Sequence, residues 1–217
     1  MRPRHHPHSD TILAYAAGSV EESFSLLIAA HAERCHTCGR AIAEAESLAG
    51  SILDALPPVA MRGNSFERLW ESAEKQGETE RSGCRLRTES DLPTVLTHLL
   101  PDGLSGIRWG SWVPGIHQYR LKDVQSGAGS VRLLRIGPGV VIPEHIHAGS
   151  ELTLILSGNY SDQTGHFGPG DLADLDDSVR HRPVVDSGQP CICLVATDQP
   201  LRFSKVLNRM MQPLLGI

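Results

Sequence analysis

Two histidines two residues apart, then a glutamate, set between apolar runs and bracketed by glycines, constrain this chain more than any other feature. The stretch is Gly139–Gly158, GVVIPEHIHAGSELTLILSG. Five residues separate Gly139 from His145, one separates His145 from His147, three precede Glu151 and six precede Gly158. Side chains alternate between faces along a strand, so His145 and His147 share one face. Ala148-Gly149-Ser150 reads as a turn, after which Glu151 opens the apolar run Leu152–Leu156. A strand–turn–strand unit then delivers two imidazoles and a carboxylate to one place, a set that suits a divalent metal. Polar groups placed between apolar runs need such a reason, because burying them without partners is costly.

With every position filled, the spacing G-x5-H-x-H-x3-E-x6-G resembles the first motif of the cupin family. The resemblance implies a small antiparallel barrel and a fourth ligand, a histidine from a later strand. Gly165–Asp171, GHFGPGD, supplies the expected Pro-Gly turn. His181 is the only histidine beyond it and takes the fourth place, although at eleven residues past Gly170 it stands further off than the family pattern has it.

The 217 residues are enough for one moderate domain or two small ones. No run reaches the roughly 18–20 apolar residues of a membrane span, and the basic, His-rich Met1–Asp10 lacks the apolar core of a signal peptide. The expectation is a cytoplasmic protein with no membrane contact. Five irregularly spaced cysteines do not make an extracellular disulfide framework and point instead to metal or redox roles. A net charge of −5 lacks the electrostatic footprint of direct nucleic-acid binding.

Along the chain, Asp10 caps a short helix through Ala17, closed by Gly18. Ser19-Val-Glu-Glu22 reads as a capping box for a second helix. Phe24, Leu27, Ile28, His31 and Cys35 form one stripe on it, apolar first and metal-capable last. A third helix spans about Gly39 to Leu56, with Ile42, Ala45, Ala49, Ile52 and Leu56 on one face, and Pro57-Pro58 stops it. Asn64-Ser-Phe-Glu67 opens a short helix to about Lys75, whose apolar side, Phe66, Leu69, Trp70 and Ala73, needs a partner: another molecule or the third helix. Residues 76–91 are polar and aperiodic and read as a linker. Beyond them short apolar runs alternate with Gly, Pro and Asp, as in a barrel or sandwich, and 204–215 has a helix-compatible pattern. The fold class is thus α+β, with a helical domain over 1–75 and an all-β domain over 92–217.

His31, Cys35 and Cys38 form H-x3-C-x2-C, three of the four ligands of a tetrahedral zinc site. A fourth can come from the His5-His6-Pro7-His8 cluster. A bare redox pair is the alternative use of C-x2-C. His6, Tyr15–Gly18, the second helix and H-x3-C-x2-C resemble the zinc-binding anti-sigma domain of bacteria. Followed by a cupin, the chain resembles ChrR-type anti-sigma factors. That resemblance implies zinc on His6, His31, Cys35 and Cys38, with His8 the alternative to His6. It also implies a second metal on His145, His147, Glu151 and His181, zinc by family, though such a set also suits iron, manganese or nickel. It further implies an extracytoplasmic-function-type sigma factor as partner and an oxidant of the singlet-oxygen type as signal. A metal-dependent cupin enzyme, a dioxygenase or isomerase, is the competing function, and the barrel alone does not decide. Cys191 and Cys193 share a strand face, either as small buried groups or as oxidisable thiols near the metal. Cys84 falls in the linker.

Overall fold

In a computed structural model, which describes residues 2–76 and 92–199 and the backbone of 202–203, helices come first and strands after. The helices are α1 (Ser9–Ala16), α2 (Glu22–Ala32), α3 (His36–Asp54), α4 (Ser65–Gln76) and the single turn α5 (Thr94–Thr97). The strands are β1 (Gly110–Val113), β2 (Ile116–Arg120), β3 (Ser130–Ile136), β4 (His145–Ile146), β5 (Glu151–Ser157), β6 (Tyr160–Ser161), β7 (His166–Phe167), β8 (Leu172–Leu175), β9 (Arg180–His181), β10 (Val184–Val185), β11 (Cys191–Thr197) and β12 (Arg202–Phe203). The α+β class expected from the sequence is what is found. The expected helix over 204–215 and Cys84 lie outside the described residues.

The strands are antiparallel. Six form the main sheet in the order β1-β2-β3-β11-β5-β8, and two three-stranded sheets, β10-β6-β7 and β12-β4-β9, close the other wall of the barrel. The central strands are covered on both faces. Leu133, Leu152, Leu154, Leu194 and Ala196 share one apolar cluster with Ile12, Phe24, Leu27 and Ile28 of the helices. From the opposite face Leu134, Ile155, Cys193 and Val195 join Tyr160, Phe167, Leu175 and Val185 in the barrel interior. The uninterrupted burial of Glu151–Leu156 follows, since a strand buried on both sides cannot alternate. α2 therefore roofs the sheet, and the helical and β parts share one core.

Three local expectations need correction. α1 begins at Ser9, with His8 in the N-cap place and no side-chain cap, so Asp10 lies inside its first turn and does not cap it. Ser19 does not cap α2. Its N–H donates to Ala14 O and the Gly18 N–H to Tyr15 O, with Gly18 at φ +66°, a Schellman closure of α1. Its hydroxyl also donates to Ala14 O. The start of α2 is tied instead to the loop at Gln125, which accepts from the Ser23 N–H and donates its own N–H to Glu22. Nor does His31 share a continuous helix with Cys35. α2 stops at Ala32 and Cys35 precedes α3, so Cys38 lies in the first turn of α3 and Gly39 is inside that helix.

Of the expected third-helix face, Ile42 is buried, whereas Ile52 and Leu56 are exposed. On α4, Phe66, Leu69 and Trp70 are 67%, 69% and 59% exposed, so this face does not pack on α3. Among the described residues no helix is long and apolar enough to cross a membrane.

Leu194→Ala should cost about 2–5 kcal/mol, because the site is fully enclosed between α2 and the sheet. With one shared core, denaturant unfolding followed by helical circular dichroism and by Trp109 fluorescence should shift together. Separate shifts would show two independently folding parts.

Candidate metal centres

The first group sits at the seam between helices and barrel. Ligand-capable atoms of His6, His31, Cys35 and Cys38 all lie within 4.8 Å of one another. The end of α2 supplies His31, the loop residue before α3 supplies Cys35, and the first turn of α3 supplies Cys38. The extended segment before α1 supplies His6. His6 Nδ1 is 3.3 Å from Cys35 Sγ and 3.5 Å from Cys38 Sγ, and His31 Nε2 is 3.3 Å from Cys38 Sγ. His8, the alternative, is exposed and turns toward Asp174, whose carboxylate accepts its backbone N–H at 2.8 Å.

The chemistry of this donor set fits a dication. Burial, with Cys35 close by, pushes the Cys38 thiol up to about 12, so without a cation Cys38 would be a weakly bonding neutral group packed against imidazoles. Burial also holds the His31 pKa below its usual value, which keeps the ring neutral as a ligand must be. His31 Nδ1 donates to Gly170 O at 2.8 Å, leaving the Nε2 lone pair facing Cys38.

The second group lies inside the barrel. His145 and His147 flank Ile146 around β4, and His181 comes from β9, paired directly with His145. All three are buried. His145 Nε2 and His181 Nε2 are 2.9 Å apart, and His147 Nε2 is 3.1 Å from His181 Nε2. His145 Nδ1 donates to Pro143 O and His181 Nδ1 to Asp162, both at 2.9 Å, so their Nε2 atoms carry lone pairs that point at one another. Burial and the neighbouring His181 lower the His145 pKa to about 4, which disfavours a proton as the particle between them. A metal ion resolves the clash.

Glu151 is buried beside this group without joining its tight spacing. Its Oε2 lies 3.3 Å from His147 Nδ1 without hydrogen-bond alignment, and its Oε1 accepts from the Thr153 hydroxyl. Thus the structure brings together His145, His147 and His181, and leaves the Glu151 carboxylate beside His147, outside that tight spacing.

Sequence reasoning missed Asp162. Its Oδ1 accepts the Thr164 and Gly165 N–H groups in a tight turn, which aims Oδ2 at His181. Burial would raise its pKa, but hydrogen bonds from His181 and Thr164 hold it below the usual carboxylate value. The Asp-x-Thr-Gly turn was visible in the sequence. Its pairing with a histidine nineteen residues on was not. Cys191 and Cys193 both face the barrel interior, and their mutual hydrogen bond together with burial raises the Cys193 thiol pKa.

Residues 104–200 match the family described as the ChrR cupin-like domain. Over all 217 residues, 100% of both chains, this chain is 35% identical to the anti-sigma-E factor ChrR of Cereibacter sphaeroides. It also resembles the crystal structure of Rhodobacter sphaeroides SigE in complex with the anti-sigma ChrR, at a TM-score of 0.75 and 32% identity, covering 91% of this chain and all of the other. With a helical metal group at one end, a cupin metal group at the other and a match along its whole length, the chain belongs to the ChrR family of anti-sigma factors.

Proposed function

We propose that this chain holds an extracytoplasmic-function-type sigma factor through its helices and releases it when the cupin part senses an oxidant of the singlet-oxygen type. The observation that carries the first half is the apolar face left uncovered by the end of α3 and by α4. Ile52, Leu53 and Leu56 are exposed there, and so are Phe66, Leu69 and Trp70, the first and last of these stacked at 6.2 Å. A helix of this kind is suited to lie in a partner's groove. The complex in which the ChrR relative was solved supports a sigma factor as the occupant. Membership of this family makes the chain a regulator and not an enzyme.

Zinc is the proposed occupant of both groups. The Cys2His2 set at the seam has the composition of a closed structural site. In the barrel, His145, His147 and His181 are proposed to hold the second ion with Glu151 as the fourth ligand. Asp162 orients His181 by accepting its Nδ1–H, and the Pro143 carbonyl does the same for His145. The side chains that would hold an ion there, three of them imidazoles, are themselves open to oxidative damage. The chain's own contribution is to keep those imidazoles buried and converging on one point.

A pull-down from the native cell with the full chain should recover a sigma factor, and absence of any sigma factor from the eluate would sink the proposal. Trp70→Glu should weaken that binding by about 2 kcal/mol or more, the usual size of a central aromatic anchor. Unchanged affinity in a titration would remove α4 from the interface.

Metal analysis of the purified chain should find two zinc ions, falling to one in His145→Ala and in Glu151→Ala. Both variants should bind the sigma factor normally yet fail to release it under oxidant. Loss of binding would instead make the cupin part of the clamp, and iron, manganese or nickel in the purified chain would replace zinc in the barrel.

A further inference from the structure

The helical metal group draws its donor atoms from the first 38 residues, yet what holds its two imidazoles in place comes from the barrel. The supporting piece is the run Gly165–Asp171, which carries β7 and the turn into β8.

Asp171 is buried at the end of that turn. Its Oδ1 accepts the backbone N–H groups of Arg4 and His5, while its Oδ2 accepts the Gly168 N–H at 2.9 Å and so fixes the carboxylate. Leu172 N–H returns a bond to His5 O at 3.2 Å, which ties the segment before α1 to the start of β8. The His5 ring lies on Phe167, centroids 4.1 Å apart, with Nε2 3.1 Å from His166 O. The fit requires bare glycines. A Cβ on Gly165 would come within 2.8 Å of the His5 ring, and one on Gly170 within 3.2 Å of Pro3. The next residue after this clamp is His6. The same turn supplies the Gly170 carbonyl that takes the His31 Nδ1–H.

From this we infer that the turn 165–171 of the barrel is the positioning element of the helical metal centre, with Asp171 setting His6 through the backbone of Arg4 and His5, and the Gly170 carbonyl setting the tautomer of His31. Metal retention by the helices, whose residues supply all four donors, is then strengthened by the docked barrel. By linkage, the ion in turn favours the docked arrangement. A carbonyl or carboxylate behind a histidine ligand commonly changes metal retention 10–100-fold. The inference rests on reading His6, His31, Cys35 and Cys38 as a metal centre.

The test uses the full chain loaded with cobalt(II). The three-imidazole group contains no sulfur, so a near-ultraviolet thiolate-to-cobalt band reports the helical centre alone. Its decay after addition of excess EDTA gives the release rate. Asp171→Ala should speed release about tenfold or more. Asp171→Asn, which keeps an oxygen acceptor for the Arg4 and His5 N–H groups but loses the one for Gly168, should release at a rate between those of Asp171→Ala and the wild type. His5→Ala removes the ring from Phe167 without altering the barrel and should also speed release, so it decides the matter if Asp171→Ala fails to fold. Release from folded His5→Ala and Asp171→Ala at the wild-type rate, with the band intact, would overturn the positioning role alone. Absence of the band from the wild-type chain would overturn the metal reading beneath it.

Discussion

Burial of β5 and β11 on both faces is the constraint on which the rest of this structure depends. Leu152, Leu154, Leu194 and Ala196 point out of the barrel and would be exposed if the sheet stood alone. Fully burying each large side chain is worth about 1.5–3 kcal/mol, so the sheet needs a cover. α2 is that cover, with Phe24, Leu27 and Ile28 lying on the sheet. Once α2 is fixed there, His31 at its end falls against the Gly170 carbonyl, and the break after Ala32 swings Cys35 and Cys38 toward the segment carrying His6. The seam position of the helical metal group follows from where a hydrophobic strand must find its roof.

Elements whose signals are local were legible in the sequence. The spacing of His145 and His147 on one side of a hairpin, the stripe leading to His31 and the longer strands β2, β3, β5, β8 and β11 all rest on residues close in sequence, whereas the two-residue strands β6, β7 and β9 gave no such signal. What was not legible required knowing which surfaces meet. Ser19 looked like an N-cap because its neighbours are Val20-Glu21-Glu22, but the Schellman closure at Gly18 claimed it first. The H-x3-C-x2-C spacing suits one helix. The chain instead ends α2 at Ala32 and starts α3 at His36, so His31, Cys35 and Cys38 come from a helix end, a loop residue and a first turn. The acceptors Asp162, Asp171, Pro143 O and Gly170 O carry no residue-type signal of metal chemistry, so nothing short of the fold could nominate them.

The same helices carry two apolar surfaces with different fates. That of α2 is spent on the sheet, whereas those of the α3 end and of α4 stay open, although a helix of twelve residues is marginal without packing. Covering Phe66, Leu69 and Trp70 by a partner is worth several kcal/mol before the cost of association. A release device must oppose an energy of that order. Retention of a structural zinc ion, apparent free energy about 10–16 kcal/mol in small zinc-bound peptides, is large enough to do so. On the reading proposed above, a shift of residues 165–171 would act where that energy is held, on the backbone beside His6 and the carbonyl bonded to His31. The cupin group and the exposed helical face would then need no direct contact, because the seam between them couples the barrel to how firmly the helices are held.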